Sequence, residues 1–222
     1  MNILRSPATS VILILGIVFV GIPLIWGLPG LRLPGNQIGY QPSQPIAYSH
    51  RLHAGELQIP CLYCHHGAEK SRHAGIPATN ICMNCHRFVT TTFGTIRKED
   101  EVAKKEKHAP KFLVSEELQK LFDAMGLDPR NKMIRDPQKV PHPIEWMRIH
   151  KLPDFVYFDH RPHVSAGVPC QDCHGPAQTM ERMRQFADLS MGWCVNCHRT
   201  ANQQGVGGKR VDASIDCSTC HY

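Results

Sequence analysis

With 222 residues, 17 glycines, 17 prolines and 7% aromatic side chains, the chain is lean in the aliphatic periodicity that builds a conventional core. The formal charge of +6 suggests anionic partners, yet no basic run is interleaved with aromatics, so nothing points to a nucleic-acid surface. Ten cysteines and 14 histidines are what remain to carry chemistry.

The first predicted element is apolar. Residues 6–31 hold no charged side chain, and Val11 to Leu28 is almost wholly hydrophobic. A helix rises about 1.5 Å per residue, so roughly 20 such residues span the hydrocarbon core of a bilayer. Pro23 is placed to kink this helix, and Pro29 with Gly30 ends it. A secretory signal peptide would have a shorter apolar core and a small-residue cleavage site, and the stretch Pro-Gly-Leu-Arg-Leu-Pro-Gly at 29–35 offers none. The expectation for 1–35 is therefore an uncleaved signal-anchor transmembrane helix and its linker. Arg5 faces only Arg32 across it, so charge alone orients it weakly.

Residues 36–93 form the next unit. His50-Arg51-Leu52-His53 precedes Cys61-Leu62-Tyr63-Cys64-His65, and Cys82-Met83-Asn84-Cys85-His86 follows. A spacer, 94–149, opens with Arg97 to Lys107, charged on nearly all sides and expected as a solvated or partner-facing helix. Ser115 then reads as an N-cap, with Glu116 and Glu117 favourable in the first turn. Leu118, Leu121, Phe122 and Met125 share one face and Gly126 ends the helix, predicting an amphipathic element packed on its own domain or on a partner. In the last unit, 150–222, His150 precedes His160-Arg161-Pro162-His163. Three more motifs follow: Cys170-Gln171-Asp172-Cys173-His174, Cys194-Val195-Asn196-Cys197-His198 and Cys217-Ser218-Thr219-Cys220-His221.

The five Cys-x-x-Cys-His motifs use all ten cysteines. Disulfides or zinc thiolates place no demand on the residue after the second cysteine, yet it is histidine each time. With histidine at 14 of 222 residues, five coincidences have a probability on the order of one in a million. Zinc ribbons also pair their Cys-x-x-Cys units, and five leaves one over. The pattern is the attachment signature of c-type haem: two thiols bond one porphyrin and the next imidazole meets the iron. Five haem c groups are expected, held by Cys61, Cys64, Cys82, Cys85, Cys170, Cys173, Cys194, Cys197, Cys217 and Cys220. His65, His86, His174, His198 and His221 are the expected proximal ligands. Each ferric haem with ionised propionates adds roughly −1, so five offset most of the +6. Porphyrin faces would supply much of the buried apolar surface, and without haem the domain should not fold.

The sequence also repeats itself. His50-Arg51-Leu52-His53 with Ile59-Pro60-Cys61 parallels His160-Arg161-Pro162-His163 with Val168-Pro169-Cys170. Each is followed by a second similar site, at 82–87 and 194–199. This reads as two related dihaem modules plus a fifth haem.

Sixth ligands separate a carrier from an enzyme, because an open iron admits substrate. Three-residue spacing lets His50 and His53, and likewise His160 and His163, leave one helical turn toward two different irons. His150 is the fifth distal candidate, and Met191 is a thioether alternative that would raise the potential of its haem. His66, His73, His108 and His142 read as solvated or bonded to propionates. These ligands suffice to cap five irons, which favours electron transfer without a catalytic residue in this chain. The fold class expected is mainly α with extensive irregular structure, organised around five covalent haems, with one N-terminal transmembrane helix. Haem c attachment takes place outside the bacterial cytoplasmic membrane, so residues after about 30 should lie on the periplasmic side of a single-pass anchor.

A His-x-x-His before Cys-x-x-Cys-His resembles the multihaem cytochrome c3/c7 class, where one histidine typically serves the nearby haem and the other a neighbouring haem. The stretches 74–86, 149–163 and 191–198 are similar to the membrane-anchored pentahaem cytochrome c subunit of alternative complex III; the spacer contributes nothing to that likeness. The resemblance implies a respiratory or photosynthetic quinol-oxidising complex, whose iron–sulfur clusters and quinol site lie in other subunits beside further cytochromes c. It also implies a soluble periplasmic acceptor, with this chain as the wire. Two alternatives stay open from the residues: a stand-alone anchored quinol dehydrogenase, and a multihaem reductase with one open haem.

Overall fold

The computed structural model describes residues 7–27, 37–131 and 133–222. The helix α1, Pro7–Gly27, is 21 residues long. Its side chains are described only at Ser10, Val11 and Ile14 to Ile22, and among the described residues no helix is long and apolar enough to cross a membrane. The expected stop at Pro29-Gly30 and the linker to 35 lie outside the described residues.

Beyond α1 the chain is mainly helical, in short pieces separated by irregular backbone. In order come a π-helical turn Arg51–Glu56, α2 Cys61–Cys64, α3 Gly67–Lys70, α4 Thr79–His86, α5 Phe93–Glu106 and α6 Glu116–Ala124. A two-stranded antiparallel hairpin, β1 Leu127–Asp128 with β2 Ile134–Arg135, follows. The second half holds α7 His160–Ser165, α8 Cys170–His174, a 3₁₀ turn Ala177–Thr179, α9 Met191–Gln204 and α10 Cys217–Cys220.

Local chemistry explains where these pieces start and stop. In α6, Ser115 caps the N-terminus by accepting from the Leu118 N–H, and Gly126, at φ +67°, lets the chain turn away two residues past the end. Helix α5 begins at Phe93 rather than Arg97, because Thr92 caps it through the Thr95 N–H. Short motif helices start after extended Pro60 and Pro169, whose φ near −60° suits the entry to a helical turn.

Side-chain packing is concentrated at one place. Met83 in α4 meets Leu121 and Phe122 of α6, with Leu118, Val114 and Ile144 around them. The amphipathic face of the spacer thus backs the second haem motif. Among the described residues eight Ala, Leu, Met or Phe side chains and Pro129 are buried, and Phe122 is the large one with no exposure. Such a sparse core leaves apolar surface at the motifs for something else to cover.

Candidate haem sites and their histidine pairs

Each Cys-x-x-Cys lies on a helical turn, in α2, α4, α8, α9 and α10. Residues three apart share a helix face, so both thiols of a motif point the same way and the histidine follows at the edge of that face. No two of the ten cysteines are joined in a disulfide. Among the described residues no group of three His, Cys, Asp or Glu side chains is set to hold a metal ion.

Four of the five motif histidines face a second imidazole. His50 and His65 have ring centroids 6.4 Å apart and planes within 4°. His160 and His174 repeat this at 6.4 Å and 6°. His53 and His86 stand 6.1 Å apart at 59°, and His163 and His198 stand 6.0 Å apart at 38°. Metal–imidazole bonds are about 2 Å long and the ligating nitrogen is about 1.1 Å from its ring centre, so two imidazoles trans across one metal should sit about 6.2 Å apart. The four gaps fit an iron between two imidazoles.

The other ring nitrogens are committed in a way that suits ligation. Nδ1 of His65 donates to the Gly75 carbonyl at 2.8 Å, that of His86 to Val89 at 2.8 Å and that of His198 to Ser214 at 2.5 Å. On the opposing side, Nδ1 of His53, His160 and His163 donates to the carbonyls of Ser49, Arg72 and Asp159 at 2.9, 2.9 and 2.8 Å. A carbonyl can only accept, so Nδ1 carries the proton and the Nε2 lone pair is left for a metal. Burial first, and neighbouring histidines second, lower His50 and His174 to about pKa 4, so both rings are neutral as ligation requires.

His150, the fifth distal candidate, lies beside the histidine of the third motif. Its ring lies edge-on to His174, with centroids 4.5 Å apart, and its Nε2 is 3.4 Å from the His174 Nδ1. That spacing is too short for two imidazoles trans across one metal. His150 thus occupies, behind the third motif's histidine, the place that a backbone carbonyl takes at the first, second and fourth. Among the described residues no imidazole faces His221; its ring neighbour is Phe155, 5.8 Å away at 25°. Met191 opens α9 and is 65% exposed. His66, His73 and His142 are exposed.

Sequence reasoning missed the aromatic wedges. Tyr48 lies between His50 and His53, at 5.0 and 4.4 Å. Phe158 lies between His160 and His163, at 4.8 Å from each. The signal was present: the repeat extends two residues upstream of each His-x-x-His, to an aromatic in both copies.

Comparison with known proteins agrees with this chemistry. The model of the family described as cytochrome c7 and related cytochrome c matches residues 156–222. Over 204 residues the chain is 22% identical to the multiheme cytochrome c subunit of menaquinone reductase from Nitratidesulfovibrio vulgaris (strain Hildenborough), covering 82% of this chain and 78% of that protein. Both likenesses are to c-type cytochromes, whose haem is covalently bound.

Proposed function

We propose that the chain is a membrane-anchored multihaem c-type cytochrome with five haem sites, relaying electrons in a quinone-linked membrane complex on the periplasmic side. The observation that carries this reading is the set of four imidazole pairs 6.0–6.4 Å apart, each with one member in a Cys-x-x-Cys-His motif. Bound haem supplies a one-electron iron couple at each site. The protein's part is to hold two imidazoles per pair, orient them through Nδ1 and tether each porphyrin by two thiols. Imidazole pairs that fill both axial positions exclude substrate from the metal, which suits a carrier and not a catalyst.

The quinol-oxidising complex that the sequence resembles and the menaquinone reductase of the relative both join a quinone pool to cytochromes. The shared element is the basis of the proposal, and a subunit of this kind passes electrons in whichever direction potentials dictate. Iron–sulfur and quinone-binding partners, further cytochromes c and a soluble acceptor belong to the same reading.

One observation favours a second reading, a multihaem reductase with one open haem: His221 faces no imidazole among the described residues. The test is the visible spectrum of the dithionite-reduced protein before and after carbon monoxide, alongside a mass measurement of covalent haem. An unchanged low-spin spectrum supports a closed wire. A carbonyl adduct of about one haem in five assigns an open position and moves the second reading forward. Absence of covalent haem refutes both.

A further inference from the structure

The two repeated modules touch each other through equivalent parts. The π-helical turn Arg51–Glu56, which carries His53 of the first His-x-x-His, packs on the 3₁₀ turn Ala177–Thr179 that follows the third motif. Reciprocally, α3, which follows the first motif, packs on α7, which carries the second His-x-x-His. Backbone hydrogen bonds repeat the exchange: the Met180 carbonyl accepts from the Arg51 N–H at 2.9 Å, and the Arg72 carbonyl accepts from the His160 N–H at 3.3 Å. Gly55 comes so near the second module that a Cβ there would lie 2.3 Å from the Gln178 carbonyl oxygen. Where part i of one unit meets part j of the other, and j meets i, the units are related by a two-fold axis.

We infer that the two modules are joined about a pseudo-two-fold axis beside Cys61 and Cys170, so that the five attachment sites run through space in the order second, first, third, fourth, fifth. Cys61 and Cys170 are equivalent positions of the repeat, and each is an electrostatic neighbour of the other. Within the first module, Asn84 of the second motif donates to the Tyr63 hydroxyl of the first at 2.9 Å, and one helical turn supplies an imidazole to each site. The first and second motifs' thiols are electrostatic neighbours, Cys64 with Cys82 and Cys85. In the second module His160 and His163 link the third and fourth sites in the same way, and Cys173 neighbours Cys194 and Cys197. The fourth site adjoins the fifth through α9: Asn202 donates to the Ala213 carbonyl at 2.9 Å, His198 bonds Ser214, and Cys194 neighbours Cys220.

The spatial order therefore differs from the chain order. Its ends are the second site, backed by the spacer core, and the fifth, near the C-terminus; the first and third meet at the axis. An arrangement in chain order would instead put the second and third motifs side by side, although 88 residues separate their starts.

The inference rests on the haem reading above, and the experiment keeps the two apart. Intact mass of the wild-type holoprotein first establishes covalent haem; a haem-free protein would end both claims before any iron is located. Iron positions are then found by anomalous diffraction from crystals of the same protein and assigned through their motifs. The expected result is that the four shortest iron–iron separations join second to first, first to third, third to fourth and fourth to fifth. The order is overturned if the second site neighbours the third, or if the first lies nearer to the fourth or fifth than to the third.

Discussion

The first and second modules solve one geometric problem twice and differ in what surrounds the solution. The parallel imidazole gap is 6.4 Å in both, and the tilted gap is 6.1 Å in one and 6.0 Å in the other. An aromatic wedge separates the two histidines in each, as Tyr48 or Phe158. What is not repeated lies behind these groups. His65 donates to a backbone carbonyl, whereas His174 meets the imidazole of His150. The first module leans on the spacer core; the second continues into α9 and a fifth site. The ring-to-ring gaps, which a bound metal would dictate, are held constant. The parts that set hydrogen bonding and burial around a ligand, and hence potential, are free to vary.

The largest expected effect comes from deleting one imidazole of a matched pair. His50→Ala and His160→Ala should each convert one haem to a form that binds carbon monoxide, while mass shows covalent haem retained. The parallel between the modules is broken if either variant keeps the wild-type reduced spectrum in the presence of carbon monoxide.

Phe122→Ala tests the asymmetry of support. Phe122 has no exposed surface and packs on Met83 within the second motif. Loss of a buried phenyl costs about 3–5 kcal/mol. The expected result is a lower melting temperature with the spectral change at the second site, and signals of the third and fourth sites unmoved. Equal perturbation of both modules would show that the spacer does not favour the first.

Sequence reading reached some of this and stopped at identifiable points. The His-x-x-His pairs are legible because two histidines three residues apart is a local, periodic fact. Their pairing is not: His50 meets His65 and His53 meets His86 across irregular loops, whose closure no residue type announces. The spacer helix was legible from Ser115 and its apolar stripe, and its target, Met83, only from packing. The partners that fix the tautomers are backbone carbonyls, which have no sequence signature at all. His150 is a distal candidate by residue type alone, and only tertiary structure shows that its ring meets His174 edge-on.

Gly55→Ala probes the contact between the modules. The added Cβ would meet the Gln178 carbonyl oxygen, a backbone atom that cannot rotate aside. Overpacking of this kind costs about 1–3 kcal/mol. The matching position in the second module is Ser165, which is exposed, so Ser165→Ala should leave stability close to wild type. Denaturant melts followed in the Soret band compare the two; a neutral Gly55→Ala would mean that the π-helical turn can move off the 3₁₀ turn freely.

The smallest effect expected is at the turns that present the ligands. Ser49 Oγ accepts from the Leu52 N–H at 3.0 Å, and Asp159 Oδ1 accepts from the Arg161 N–H at 2.9 Å, so different residue types hold the same turn. Ser49→Ala removes that acceptor and should cost about 1 kcal/mol, roughly 2–4 °C in melting temperature for a chain of this size. Asp159 has an added role: its carboxylate pairs with Arg161, whose hydrogen bonds are the main reason its pKa falls to about 2. If the shared function is only to cap, exchanging the two residues, Ser49→Asp with Asp159→Ser, should preserve all four low-spin imidazole pairs. Loss of low-spin character at the third or fourth site in that exchange would show that the carboxylate helps to hold His160 and His163 in place, a duty that Ser49 does not have in the first module.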